Sequence, residues 1–114
     1  MFYYKAEILR IVDGDTVDVR IDLGFNMWHK CRVRLMGINA PESRTRDLEE
    51  KARGLAAKEW LKNILEASSD DIEMQSHGEG KYGRVLGTFF IRGVDINDLM
   101  VNEGHAELYD GGKR

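Results

Sequence analysis

Four short stretches of the chain carry side chains suited to work at an anionic ester. They are Val12-Asp13-Gly14-Asp15-Thr16-Val17, Arg34, Asn39-Ala40-Pro41-Glu42 and Lys81-Tyr82-Gly83-Arg84. Cleaving a phosphodiester concentrates negative charge at a centre that is already anionic. It calls for cationic groups and a metal at the non-bridging oxygens, and for a base that orients or deprotonates water. Two arginines and carboxylates at two strand-end turns meet that need. Arg34 is the most informative, because its planar fork can grip a phosphate through two parallel hydrogen bonds, which lysine cannot do. Each residue also has a plain structural alternative. Arg34 can be a solvated strand arginine in a surface ion pair, and Asp15 ordinary turn chemistry. Glu42 can be a helix-start acid and Arg84 an ordinary strand residue.

The elements around these residues decide how they are placed. Residues 2–12 are rich in β-branched and aromatic side chains and stop at Asp13-Gly14-Asp15, a turn signal. Val17, Val19, Ile21 and Leu23 then alternate with Asp18, Arg20 and Asp22, which predicts a half-buried strand joined to the first as a hairpin. After a turn at Leu23-Gly24-Phe25-Asn26, a third strand sets Cys31, Val33 and Leu35 against Arg32, Arg34 and Met36, so Arg34 points away from the core. Pro41 closes that strand, and residues 42–53 read as a charged loop or frayed helix start. From about Leu55 a helical spacing takes over (Ala57, Trp60, Leu61, Ile64, Leu65), with Gly54 arguing against an unbroken helix through it. Ile72 and Met74 mark a fourth strand, His77-Gly78-Glu79-Gly80 a hairpin loop, and residues 82–91 a fifth strand. A last short helix is expected from Ile96 to Glu103, capped by Asp95 and ended by Gly104. The predicted class is α+β, mainly β: a five-stranded OB-fold barrel with a helix between strands 3 and 4 and a short C-terminal helix. One domain over residues 1–114 is expected.

Bulk properties narrow the field less. The formal net charge of −3 lacks the basic signature of most nucleic-acid binders, but charge is unevenly spread. Residues 30–53 are predominantly basic, whereas the first 24 lean acidic through Asp13, Asp15, Asp18 and Asp22. That suits a metal site beside a phosphate site, and it equally suits two solvated surfaces. Cys31 is the sole cysteine, which excludes an internal disulfide and a cysteine-based zinc site. His29, His77 and His105 lack metal-ligand spacing. With neither a membrane-length apolar run nor a signal-peptide pattern, a cytoplasmic chain without membrane contact is expected, as a monomer. His29 and Trp28 receive no assignment.

In order, spacing and context the four stretches, together with Met100-Val-Asn-Glu-Gly104, resemble the staphylococcal nuclease (thermonuclease) family over residues 5–109. The resemblance implies an OB barrel and a nuclease that cuts DNA or RNA with little sequence preference, using calcium. It implies that Asp15 ligates the cation, with the Ala40 backbone carbonyl, and that Asp13 stands just behind. Arg34 then holds the scissile phosphate, Glu42 orients the attacking water, and Arg84 stabilises the charged transition state. Lys81 and Tyr82 contact substrate, whereas Tyr109 falls one position out of register and is read as structural. Asn39 stands where the family usually has a calcium-binding aspartate. The amide oxygen remains a ligand but one charge is lost, which predicts a weaker site or another divalent cation. That loss also leaves open a non-catalytic nucleic-acid-binding module of the same family.

Overall fold

The computed structural model describes residues 2–79 and 84–109. Strands β1 (Phe2–Asp13), β2 (Thr16–Gly24) and β3 (Met27–Leu35) form an antiparallel meander, followed by the short β4 (Ile38–Asn39) and helix α1 (Leu48–Ala67). Then come β5 (Ile72–Glu79), β6 (Val85–Ile91), the short β7 (Val94–Asp95), helix α2 (Ile96–Asn102) and the short β8 (Glu107–Leu108). The five long strands run in the order β3-β2-β1-β5-β6. Parallel pairing of β3 with β6, Val33 opposite Val85 and Leu35 opposite Gly87, closes them into a barrel. This is the predicted OB-type architecture, with α1 between the third and fourth barrel strands and α2 near the C-terminal end.

Alternation builds the interior. Val17, Val19, Val33 and Leu35 project inward and are wholly buried, as are Met74 and Phe89 from the other side of the barrel. Helix α1 closes one end with Ala57, Leu61 and Leu65, a stripe at spacings of three and four that faces the core. Irregular pairing in β1 at Ile8/Arg10 and Ile11/Asp13 bends that strand, as an extra residue in a ladder does. Asn97 of α2 ties the helix to the barrel. Its buried side chain donates to Met36 O (2.9 Å) and Gly87 O (3.1 Å) and accepts from Phe89 N (3.3 Å).

Three boundaries differ from the sequence reading, the first being that the strand expected over residues 82–91 begins at Val85, with Arg84 just before it. Helix α1 begins at Leu48, where Asp47 accepts hydrogen bonds from the backbone N–H of Glu49 (3.1 Å) and Glu50 (3.2 Å). Its first two turns carry almost no apolar periodicity, so charge masked them. Gly54 lies inside the helix and is buried, because its bare Cα admits the backbone of Glu42 and Ser43. Strand β5 continues through His77 and Gly78, where the glycines predict a hairpin loop. A shift in pairing between Ser76 and Glu79, with Gly78 at φ +105°, absorbs the glycine without ending the strand.

Candidate functional site

The hairpin turn Gly14-Asp15, β4 and helix α1 meet at one end of the barrel, and small residues make that meeting possible. A Cβ on Gly14 would lie 2.9 Å from the Cβ atoms of both Ala40 and Ala57. The approach brings the Asp15 carboxylate within hydrogen-bond reach of Ala40 N, which donates to Oδ2 at 3.0 Å, while Thr16 Oγ1 donates to Oδ1 at 3.0 Å. The backbone carbonyl of Asp15 accepts from Leu35 N at 2.8 Å, which locks the turn to the end of β3. Asp13 accepts from the Ser43 hydroxyl and so joins the other side of the turn to the segment after Pro41.

Arg34 extends from the outer face of β3, opposite the buried Val33 and Leu35, as the alternation predicts. Its guanidinium donates to Leu35 O (2.8 Å) and Asn39 Oδ1 (3.4 Å) and lies 3.7 Å from Asp15 Oδ2. The side chains of Arg34 and Asp15 are only 16% and 14% exposed, so their attraction is less screened than that of a surface pair. Asn39 is held by the pairing of β4 with β8, in which it faces Glu107. The same small sheet, through Tyr109 N donating to Gly37 O at 2.8 Å, brings the Tyr109 ring 5.8 Å from the Arg34 guanidinium carbon. Tyr109, expected to be structural, thus lies beside the arginine of the candidate site. Nothing short of the β4–β8 pairing, which joins residues some 70 positions apart, could have revealed it.

The structure thus brings together Asp15, Arg34, Asn39 and Ala40, with Asp13 one layer behind. Glu42 is exposed on the segment that leaves this cluster, and its backbone rests on Gly54. Arg84 is half-buried just before β6, whose first residue Val85 pairs with Val33, the neighbour of Arg34. Lys81 and Tyr82 lie outside the described residues. An open cavity of about 430 Å³ adjoins the cluster, lined by Asn39, Ala40, Pro41, Glu50, Arg53 and His105. The sequence does not single out Arg53 and Glu50 on this wall, since residues 42–53 read only as a charged loop or frayed helix start.

Among the described residues no three His, Cys, Asp or Glu side chains are grouped to hold a metal. The oxygen donors that converge there are the Asp15 carboxylate and the amide oxygen of Asn39, both around Arg34. An all-oxygen set of this kind fits a hard divalent cation, with a low count of ligand charge. Further along β3, Arg32 pairs with Asp18 through Nε (2.8 Å) and Nη2 (3.2 Å). That hydrogen bonding, helped by the charges of Arg32 and Arg10 and opposed by partial burial, holds the Asp18 carboxyl below its ordinary range. Arg32 is correspondingly raised. Burial, and then the Asp18 charge, push the Cys31 thiol up.

The architecture is that of the OB-fold class of small barrels, which hosts several functions, and comparison with known proteins narrows it. A family model described as staphylococcal nuclease homologue matches residues 32–113. The chain belongs to this nuclease-like family. Protein ParB of Escherichia coli is 32% identical over 92% of this chain and 57% of its own length. The micrococcal nuclease of Shigella flexneri is 30% identical over 93% of this chain and 59% of its own, and the thermonuclease of Staphylococcus intermedius 28% over 87% and 56%. The chain spans a little over half the length of these relatives. Among the described residues, no helix is long and apolar enough to cross a membrane.

Proposed function

We propose that the chain is a metal-dependent nuclease that hydrolyses phosphodiester bonds of DNA or RNA with little sequence preference. The observation that carries this reading is the placement of Arg34. Its half-buried guanidinium stands against Asp15 and Asn39, where a phosphate and a cation would be neighbours. The nuclease names of the Shigella and Staphylococcus relatives support it.

In this reading Arg34 binds two non-bridging oxygens of the scissile phosphate, and its burial strengthens that contact relative to an exposed arginine. Glu42, exposed beside the cluster, accepts a proton from the attacking water and aims it at phosphorus. Arg84, just before the strand that pairs with β3 beside Arg34, meets the charge that develops on the equatorial and leaving oxygens. Asp15, Asn39 and the Ala40 carbonyl are the proposed ligands of calcium or another divalent cation, with Asp13 supporting them through Ser43. Such an ion supplies positive charge to a non-bridging oxygen and lowers the cost of adding a nucleophile to an anion. Lys81 and Tyr82 are assigned to substrate on the strength of the motif that contains them. Contacts of this kind fall on the nucleic-acid backbone, which is why little sequence preference is expected.

Asn39 favours one second reading, a domain that binds nucleic acid without cutting it. Incubation with single-stranded DNA, duplex DNA and RNA, under calcium, magnesium or chelator, separates the two. Metal-dependent cleavage that disappears in Glu42→Gln and Arg34→Ala supports the nuclease. Binding without cleavage under every metal condition would leave only the second reading.

A further inference from the structure

The β2–β3 hairpin extends beyond what the barrel needs. Residues 23–30 are exposed on both faces of the ribbon, and its tip carries large apolar side chains, with Phe25 98% and Trp28 46% exposed. The two-residue turn Phe25-Asn26 has φ of +55° and +63°, the left-handed geometry that hairpins fill with Asn and Gly. A bulky aromatic there is strained and has no packing gain to offset it, which points to a role outside the fold.

Trp28 is held flat by its own strand pair. The Arg20 guanidinium carbon stacks 4.4 Å from the Trp28 ring centroid, and Arg20 is fixed in turn by Glu7 at 2.7 Å. One ring face therefore rests on a cation while the side chain remains half exposed. From Trp28 the outer face of β3 continues through Lys30 and Arg32 to Arg34, while the paired β2 sets Asp22 opposite Trp28, Arg20 opposite Lys30 and Asp18 opposite Arg32. Lys30 is exposed and enters none of the ion pairs among the described residues. At ~3.3 Å per residue these side chains form a line of about 20 Å. It begins at an aromatic platform and ends at the arginine of the candidate site.

We propose that Trp28, Lys30, Arg32 and Arg34 form a track for single-stranded nucleic acid, along which the hairpin arm holds the strand that enters the site. A base stacks on the open face of Trp28, Phe25 flanks it, and Lys30 meets the backbone phosphates on the way to Arg34, with Arg32 held beside them in its pair with Asp18. The combination of a stacking platform with a line of cations is how single strands are held without sequence readout. The end of the track at Arg34 rests on the nuclease reading. The arm itself is argued from its own residues.

The test is fluorescence anisotropy of labelled dT12 and dT3 with the full chain in chelator, where no metal-dependent cleavage competes. Trp28→Ala is expected to weaken dT12 binding about fivefold or more, with Trp28→Phe recovering much of the loss and dT3 affinity unchanged. Lys30→Ala is expected to reduce the salt slope for dT12 by about 0.7. In a Trp60→Phe background, quenching of Trp28 on addition of dT12 reports the stack directly. Wild-type affinity for dT12 in both Trp28→Ala and Phe25→Ala overturns the track and leaves the nuclease reading intact. Trp28-dependent binding in a chain that cuts nothing with calcium or magnesium supports the arm and sinks the nuclease. A Trp28 signal that responds to phosphatidylcholine–phosphatidylglycerol vesicles, and not to dT12, assigns the tip to a membrane surface and overturns the proposal.

Discussion

Replacing Gly54 with alanine separates local propensity from tertiary placement at the candidate site. In an isolated helix the change stabilises by ~1 kcal/mol, since glycine is the poorer helix former. Within α1 the added Cβ would meet Glu42 O at 2.3 Å, Glu42 C at 2.4 Å and Ser43 N at 2.7 Å. All three are backbone atoms, so no side chain can rotate away. Reaching ordinary contact at 3.4 Å requires the helix or the Glu42–Ser43 segment to move by 1.1 Å, the difference between 3.4 and 2.3. Overpacking of this kind costs roughly 1–3 kcal/mol, and a backbone obstacle belongs at the upper end. Set against the helix gain, Gly54→Ala should destabilise by about 2 kcal/mol in urea titration. Because the moving segment carries Glu42, a displacement near 1 Å should also lower kcat by about 10²-fold with KM little changed. Ala56→Gly, at an exposed position of the same helix, provides the control: about 1 kcal/mol lost and cleavage unaffected. A Gly54→Ala chain that is more stable than wild type and cuts at the wild-type rate refutes the close-approach account.

Asn97→Ala removes three hydrogen bonds from a buried position and deprives Met36 O and Phe89 N of this partner, while Gly87 O keeps its bond from Met36 N; a loss of about 2 kcal/mol or more in chemical denaturation is expected. Asn39→Asp restores a carboxylate to the proposed cation site and should tighten calcium binding about tenfold in a calorimetric titration, whereas unchanged affinity would remove Asn39 from the ligand set. For Asp18, whose carboxyl is lowered in the fold by its hydrogen bond to Arg32, the unfolded chain binds the proton more readily. The pair therefore contributes above the ordinary carboxylate range and loses its contribution as pH falls through the depressed value. Asp18→Asn should remove a small stabilisation at neutral pH, kept small because the pair is partly exposed and screened, and flatten the acid limb of a stability–pH profile by the same amount.

How much of this was legible in the sequence depends on how far each signal had to travel along the chain. Alternation in β2 and β3 gave the inward face and placed Arg34 outward, because period two is read within a few residues. The same logic failed at the hairpin tip. Once both faces of residues 23–30 are exposed, alternation carries no information, and Trp28 stayed unassigned. The start of α1 was hidden for a different reason: its first turns are charged, and Gly54 looks like a breaker unless the Glu42–Ser43 backbone behind it is known. The site itself depends on long separations. Asp15 meets Ala40 across 25 positions, and Tyr109 reaches Arg34 only through the β4–β8 pairing. Residue types suggested phosphate chemistry, but the convergence that makes it one site belongs to the closed barrel.

Asn39 bears on the phosphate side of the site as well as on the metal. Arg34 lies 3.7 Å from the Asp15 carboxylate and 3.4 Å from the Asn39 amide oxygen, so both neighbours compete with a phosphate for its donors. A carboxylate at position 39 would place a second negative charge on the guanidinium, and a hydrogen bond to a charged acceptor is roughly twice as strong as one to a neutral acceptor. The amide holds the fork in place with the weaker bond. A phosphate arriving at Arg34 therefore displaces a neutral partner at a lower cost than an anionic one. The substitution that reduces the charge available to a cation also leaves the arginine readier for substrate. In Asn39→Asp, tighter calcium binding should accordingly be accompanied by weaker metal-free binding of dT3, the short oligonucleotide that cannot engage the hairpin arm. If dT3 affinity in chelator rises or stays constant while calcium binding tightens, the two effects are independent, and Asn39 acts on the cation alone.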